Sequence, residues 1–335
     1  MPLKEANKPC PACSQNNFSF ILDTKNKNGE FSLYECANCQ GQFFFPFFHP
    51  GGNWYEQGDT YNQKDEAKPR HPHCYHQHFL KTVELPQKFT ALDLGCGTGE
   101  FLNALKLRGG EAYGVDIDRA AIEIAKNFFP SIKFQAGKIE EFLGQPKLTE
   151  MDYVTMFEVF EHTDDPFEII DAIQPWLKDS GKLFISLPSR ERFRPNWAKW
   201  DFPLHHLSRW DQASLSKALS LHGFSVIRTD YINSYGQLRE IILEYLADKL
   251  HFKQARRFKA TAKTNNQTNG NVQKIGIPGK IKHITKKTVY RTARFIGVKF
   301  APSFLASLIY PIAIISKPKS GVMFIEAVKI KKVNY

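Results

Sequence analysis

Short apolar runs alternate with longer amphipathic segments through the middle of the chain. Six runs have the length and composition of buried strands, at 89–96, 111–118, 132–137, 151–159, 181–189 and 224–232. Four segments between them follow the helical repeat, at 99–109, 119–129, 165–178 and 211–223. Strands that alternate with helices in this way predict a parallel, doubly wound α/β sheet.

The sequence on either side of this pattern sets the predicted domain organisation. One more strand is predicted at 321–330, and two more at 19–24 and 31–36. The predicted parts are an amino-terminal module (1–50), a polar, His-rich connector (51–86), an α/β domain (87–235 and 321–335) and a mainly helical insertion before the last strand (236–320). An aromatic run at 43–48 is interpreted as packing between the module and the domain; a substrate wall or a base-stacking platform is the alternative.

The net charge of +11 is concentrated in the insertion. Residues 249–325 contain sixteen Lys and Arg and no Asp or Glu, which leaves 29 basic and 34 acidic residues elsewhere. An uncharged run, 300–316, lies in this basic segment, and Pro302 and Pro311 favour a helix in the membrane plane over a spanning one. We therefore expect peripheral contact with an anionic membrane. A lid over the substrate is the alternative, and nucleic acid is a less favoured partner.

The remaining composition, 42% hydrophobic and 24% charged, is that of an ordinary globular protein. The first residues carry no apolar stretch of the secretory kind, so we expect a cytoplasmic protein, peripheral on the cytoplasmic membrane face if the insertion binds lipid.

Four of the six cysteines form two C-x-x-C pairs, Cys10 with Cys13 and Cys36 with Cys39. In a reducing compartment this spacing indicates metal rather than disulfides. Four thiolates close a tetrahedral site, so the pattern predicts a zinc ribbon that holds a structural ion.

A glycine-rich loop follows the first central strand, in the sequence LDLGCGTGE (92–100). Glu100 occupies the third glycine position of a dinucleotide fingerprint, and no Lys follows as in a phosphate-binding P-loop. Asp93 before three alternating glycines suits an amino-acid tail, because the bare backbone permits close approach and a carboxylate accepts from an ammonium. A tight turn without a ligand is the alternative.

The second central strand ends in Asp116, where a carboxylate can accept both hydroxyls of a ribose. Ile117 beside it can pack on an adenine face.

At this point the chain resembles the class I S-adenosylmethionine-dependent methyltransferases, over about residues 75–235 and the last strand. LDLGCGTGEF and YGVDID are similar to the two cofactor motifs of that family. EVFEHTDDP (158–166) and the segment 202–224 resemble the ubiquinone-biosynthesis O-methyltransferases and their glycan-cluster relatives. The resemblance implies a seven-stranded Rossmann-like sheet with an antiparallel last strand inserted near the edge, and methyl transfer from the cofactor.

The resemblance implies a set of cofactor-binding residues: Asp93, Gly95, Cys96, Gly97, Gly99, Asp116, Ile117, Lys138, Ile139 and Phe157. Relatives often place an acidic residue where this chain has Lys138. Adenine is therefore expected to contact the backbone near Lys138 and Ile139, or else Glu140.

Histidines supply the predicted catalytic groups, because an oxygen acceptor benefits from a base near neutral pKa. His162 is the first candidate, either as base or as a residue that orients substrate, with Glu161, His205 and His206 beside it. Hydrogen-bonded loop residues are the alternative. Glu158, Glu161 and His162 form E-x-x-E-H, which in the ubiquinone-type enzymes resembles a divalent-cation site; packing and polarity are the competing roles.

The expected function is therefore methyl transfer to a small-molecule or lipid-linked acceptor, such as a sugar, glycan or quinone-like compound, at oxygen. An RNA methyltransferase that holds RNA with ribbon and insertion is the alternative. A degenerate cofactor-binding module that regulates a partner is the third hypothesis.

Overall fold

The computed structural model describes residues 8–26, 28–47, 69, 71–146, 150–191, 202–232 and 321–330. All of them belong to one compact unit, in which the amino-terminal module and the α/β domain are joined. The insertion 236–320, with the expected membrane contact, lies outside the described residues. Among the described helices, none combines the length and apolar character needed to cross a membrane.

Seven strands form the central sheet: β4 Phe89–Leu94, β5 Gly110–Asp116, β6 Lys133–Ala136, β7 Met151–Phe157, β8 Leu177–Pro188, β10 Phe224–Ile232 and β11 Val322–Lys329. Their order is β10-β11-β8-β7-β4-β5-β6. Strand β11 is antiparallel to both of its neighbours, and the pairs among β4 to β8 are parallel. This confirms the predicted doubly wound sheet, including the antiparallel last strand near one edge.

Six α-helices are described: α1 Cys74–Thr82, α2 Glu100–Lys106, α3 Arg119–Phe128, α4 Ile139–Leu143, α5 Pro166–Ile173 and α6 Gln212–Leu221. Asp118, Asp165 and Asp211 begin α3, α5 and α6 by accepting backbone N–H bonds. Helix α1 differs from the polar connector predicted there, because it buries His76 and Phe79 three residues apart.

The amino-terminal module forms a second, antiparallel sheet. Strands β1 Phe18–Asn26, β2 Gly29–Cys36 and β3 Gln42–Phe45 pair in order, and β9 Ser208–Arg209 of the α/β domain adds a fourth strand beside β3. Phe43 of the aromatic run is buried and meets Trp210 edge to face at 5.4 Å between ring centroids. The run therefore packs the module onto the domain, in agreement with its first interpretation.

The core lies on both faces of the central sheet. Side chains of α1, α2 and α3, including Phe79, Leu102 and Ile122, pack on one face. Ile170 of α5 and Leu215 of α6 pack on the other, together with the module. These layers leave the carboxyl ends of the parallel strands as the edge where loops meet.

Candidate functional site

The glycine loop after β4 has a backbone that requires glycine. Gly95, Gly97 and Gly99 have φ angles of 84°, 53° and 80°, in the left-handed region. The N–H groups of Gly95 and Cys96 both donate to the Val115 carbonyl, at 2.7 and 3.1 Å, which ties the loop to β5. The loop then leads into α2, which begins at Glu100.

Only one of the three glycines leaves open space for a ligand. A Cβ at Gly95 would lie 2.2 Å from Val159 Cγ2, and one at Gly99 would lie 2.6 Å from Phe134 Cζ. A Cβ at Gly97 would meet nothing within 4 Å. Open space beside the backbone is therefore found at Gly97, and Gly95 and Gly99 lie against protein side chains. The predicted cofactor contacts of all three glycines stay predictions.

Asp116 closes the end of β5 against this loop. Its Oδ2 accepts from the Gly97 N–H at 2.7 Å, and its Oδ1 accepts from the Asp118 N–H at 2.8 Å. Burial raises the pKa of this carboxyl to about 6. Each oxygen keeps a second lone pair, so the carboxylate can accept two further hydrogen bonds, which fits the hydroxyls of a ribose.

Asp93 lies deeper than the sequence suggested. Its carboxyl is 2% exposed in β4, and Thr155 Oγ1 donates to its Oδ1 at 2.5 Å. Burial raises the pKa of Asp93 to about 8. The described contacts of Asp93 are with β7, and its predicted bond to an ammonium stays a prediction.

Cys96 directs its thiol into the core. Its side chain is 6% exposed, and a Cβ at Gly114 would lie 2.7 Å from its Sγ. Any contact with a cofactor would therefore come from the Cys96 backbone rather than from sulfur.

The predicted adenine-contact residues follow β5 and β6 at the same edge. The Gly137 N–H donates to the Asp116 carbonyl at 2.9 Å, which joins the two strand ends. Lys138 begins α4, and Ile139 packs partly against the core. Burial raises the pKa of Glu140 in the same helix.

Helix α1 brings aromatic and polar residues to the site, and these residues were not predicted from the sequence. Phe157, at the end of β7, is 5% exposed and lies 5.8 Å from the ring of Tyr75 and 5.6 Å from that of His76. Burial, and then the charge of Glu158, raise the pKa of Cys74. The signal was the spacing of His76, Phe79, Leu80 and Val83, which follows one helical face.

The predicted catalytic histidines lie together. The ring centroids of His162, His205 and His206 are 4.8 to 4.9 Å apart. His162 Nδ1 donates to the His205 carbonyl at 2.5 Å. Glu161 is 2% exposed, and its Oε1 lies 3.7 Å from His162 Nε2 and 3.8 Å from His206 Nε2. We call these four residues the imidazole cluster.

Glu158 stands apart from this cluster. It has a φ of 57° at the end of β7, its N–H donates to the Ser186 carbonyl at 2.8 Å, and Ser186 Oγ donates to its Oε1 at 3.4 Å. Among the described residues, the possible metal ligands near His162 are His205 and His206, rather than Glu158.

The four paired cysteines converge as the spacing predicts. Cys10 Sγ lies 3.6 Å from Cys39 Sγ, and Cys13 Sγ lies 3.5 Å from Cys36 Sγ. Thiolates around a tetrahedral zinc are about 3.8 Å apart, given Zn–S bonds of about 2.3 Å. A hydrogen bond from Cys10 lowers the pKa of Cys39 to about 6. The geometry is compatible with one structural zinc ion.

The ribbon is connected directly to the imidazole cluster. The Phe44 N–H donates to the Leu207 carbonyl at 3.0 Å, and the Leu207 N–H donates to the Glu161 carbonyl at 2.8 Å. Arg190 bonds Glu35 of β2 and Asp211 at the start of α6. The sequence carried no local signal for these contacts.

The seven-stranded order, with a glycine loop and an acidic residue closing adjacent strands, defines a class I S-adenosylmethionine-dependent methyltransferase domain. Residues 65–229 match the family model described as a methyltransferase domain. This segment, 165 of the 335 residues, together with the sheet order supports a class I S-adenosylmethionine-dependent methyltransferase domain.

Ubiquinone biosynthesis O-methyltransferases are among the similar curated proteins. The one from Marinobacter nauticus is 33% identical over 105 residues, which are 30% of this chain and 44% of that protein. The one from Coxiella burnetii is 32% identical over 141 residues, 39% of this chain and 58% of that protein. The chain thus spans about half the length of these relatives.

Solved structures with similar folds include the [4+2]-cyclase SpnF, at 16% identity and a TM-score of 0.45, covering 76% of this chain and 79% of that one. Another is magnesium protoporphyrin IX methyltransferase (ChlM) from Synechocystis PCC 6803 with bound SAH, at 18% identity and a TM-score of 0.37, covering 48% and 74%.

Proposed function

We propose that the protein transfers the methyl group of S-adenosylmethionine to a hydroxyl oxygen of a small-molecule or lipid-linked acceptor. One observation carries the proposal: open space at Gly97, the Asp116 carboxylate and the imidazole cluster all follow the carboxyl ends of neighbouring strands. The names of the curated relatives support a quinone-like acceptor and an oxygen atom. The lipid-linked form of the acceptor rests on the sequence of the insertion alone.

The residues present fit this cofactor. When bound, S-adenosylmethionine supplies a methyl group on a positively charged sulfur. Asp116 would hold the ribose through the free lone pairs of its two oxygens, and the backbone at Gly97 leaves room for the amino-acid tail. Ile117, Lys138 and Ile139 would border the adenine.

In this proposal His162 would take a proton from the acceptor hydroxyl. Its Nδ1–H is donated to the His205 carbonyl, so the lone pair of the neutral ring is on Nε2. The buried carboxylate of Glu161, 3.7 Å from that nitrogen, would stabilise the imidazolium that forms.

Helix α1 would exclude water from the reacting atoms. Tyr75, His76 and Phe157 form an aromatic wall, and burial lowers the pKa of His76 to about 3, so this ring is neutral. A dry site favours in-line displacement at a cationic centre, since water neither competes nor screens.

The test is transfer of labelled methyl groups from S-adenosylmethionine to hydroxylated quinones, to a lipid extract and to RNA. We expect label in a hydroxyl-bearing small molecule or lipid, and a rate lowered about 100-fold or more in His162→Gln. His78→Gln, on the opposite part of α1 beside Asp230, is the matched control and keeps the rate. Label recovered only in RNA, or an unchanged rate in His162→Gln, would overturn the proposal.

A further inference from the structure

The four-cysteine site of the ribbon would carry a charge that its ligands do not balance. Four thiolates around one Zn²⁺ ion leave two negative charges in excess. Cys10, Cys36 and Cys39 are at most 1% exposed, so water contributes little to stabilising this charge. A buried charge needs hydrogen bonds and an opposite charge close by. Donors and cations around the cysteines therefore decide how firmly the site would hold zinc.

One connection runs from Lys217 on α6 to the Cys36 sulfur. Lys217 Nζ donates to the Asn38 carbonyl at 2.5 Å. The same peptide unit includes the N–H of Cys39, which donates to the Cys36 sulfur. A cation on the oxygen of a peptide unit polarises that unit and strengthens the bond that its N–H donates. The charge of Lys217 therefore acts on the thiolate without touching it.

A second connection of the same form runs from Arg190, after β8, to the Cys39 sulfur. Arg190 Nη1 donates to the Gln40 carbonyl at 2.5 Å. The N–H of that peptide unit belongs to Gly41 and donates to the Cys39 sulfur. The Arg190 side chain is 16% exposed, and its Nη2 is ion-paired with Asp211 at the start of α6. This cation is held in place by its partners, and water screens it less than an exposed one.

The turn that carries the first cysteine pair is held from the same side. His222, directly after α6, lies with its Nε2 3.0 Å from the carbonyl of Ala12, between Cys10 and Cys13. A carbonyl only accepts, so the His222 Nε2 carries the proton and donates it. The other ring nitrogen, Nδ1, lies 2.8 Å from Asp171 Oδ1. The α/β domain thus binds the backbone of both cysteine turns.

We propose that Arg190 and Lys217 are supporting residues of the ribbon's zinc site, and that each slows the release of the ion through one peptide unit. The two cations match in number the two negative charges in excess. The α/β domain then completes a metal site whose ligands all come from the ribbon. This inference concerns the four cysteines alone and is independent of the acceptor and of methyl transfer.

The test is the rate at which the zinc-loaded full chain releases its ion to 4-(2-pyridylazo)resorcinol, which changes its visible absorption when it binds zinc. Loss of a group that supports a metal ligand weakens metal binding about 10- to 100-fold, and we expect release from Arg190→Gln to be faster by about that factor. Lys217 is exposed. Release from Lys217→Gln should therefore be about two- to fivefold faster, and less so in 1 M salt. Lys217→Arg keeps the charge and should restore the normal rate.

Two variants serve as controls. Lys329 also donates to a backbone carbonyl, that of Leu177, outside the ribbon, so Lys329→Gln should release zinc at the normal rate. Glu35→Gln removes the ion-pair partner of Arg190 in the ribbon and keeps the bond to Gln40, so its release should also be nearly normal.

Unchanged near-ultraviolet circular dichroism of the zinc-loaded variants would show that they fold. Three results would overturn the proposal. The first is an unsubstituted chain that retains no zinc after loading. The second is normal release from both Arg190→Gln and Lys217→Gln. The third is a control variant that speeds release as much as Arg190→Gln does.

Discussion

Replacement of Asp116 by Asn tests how the site holds its cofactor. The carboxylate accepts from the Gly97 N–H at 2.7 Å and from the Asp118 N–H at 2.8 Å, and a free lone pair remains on each oxygen. An amide of the same shape has one oxygen and one NH₂ group. Its NH₂ must therefore face one of these backbone donors, and one ribose hydroxyl loses its acceptor.

The size of the effect follows from the bond that is lost. A hydrogen bond to a charged group contributes about 1.5–3 kcal/mol. The substitution should therefore weaken binding of S-adenosylhomocysteine roughly 10- to 150-fold. Asp165→Asn, at the start of α5, is the matched control, since Asn also begins helices well.

The pKa of Asp116 adds a second signature. With this pKa raised by burial to about 6, the carboxylate becomes protonated as the pH falls from 7 to 5. Affinity in the unsubstituted protein should fall about tenfold over that interval, because the protonated group has lost acceptor capacity. The Asn variant should show no such dependence. Calorimetry at several pH values measures both effects, and equal affinities of the two proteins at pH 8 would refute the reasoning.

Three further changes have defined expectations. Burial raises the folded pKa of Asp93 to about 8, so the unsubstituted protein should lose thermal stability as the pH rises from about 4 to 8, and Asp93→Asn should not show this loss. If the melting temperatures of the two proteins change with pH in the same way, the reasoning is contradicted. Zinc is the ion we expect at the four cysteines, and a chelator that removes it should lower the melting temperature of the whole described unit, because β3 pairs with β9. Calorimetry that shows an unshifted main transition would argue against this. Glu158→Gly should be more stable than Glu158→Ala by about 1 kcal/mol in urea unfolding, because the φ of 57° suits glycine; equal stabilities would count against backbone strain.

The central sheet could be predicted because its signals are local. Strands β4, β5, β6, β7, β8 and β10 are each an apolar run next to a helical repeat, and caps such as Asp118 lie directly before their helices. The closeness of the glycine loop and Asp116 could be predicted in the same way, because adjacent parallel strands bring their carboxyl ends together whatever the details of packing.

Contacts between segments that are distant in the chain could not be predicted from the sequence. The pairing of Phe43 with Ser208 joins residues far apart in the chain, and two residues are too short a strand to show a pattern. Helix α1 was hidden by its polar composition, although His76 is buried against the ring of Phe101. For Glu161 and His162, the motif letters suggested Glu158 as a partner, whereas the loop after β8 places His205 and His206 there.

The pairing of β3 with β9 has a practical consequence for the design of a shortened protein that keeps only the catalytic part. Trp210 rests on Gly41, where a Cβ would come within 2.7 Å of its ring, and on the edge of Phe43. A shortened version that starts after the ribbon would expose that indole to solvent and leave β9 without its neighbour. We expect such a truncated protein to aggregate on expression. The ribbon is therefore better treated as an integral part of the enzyme than as a separable domain.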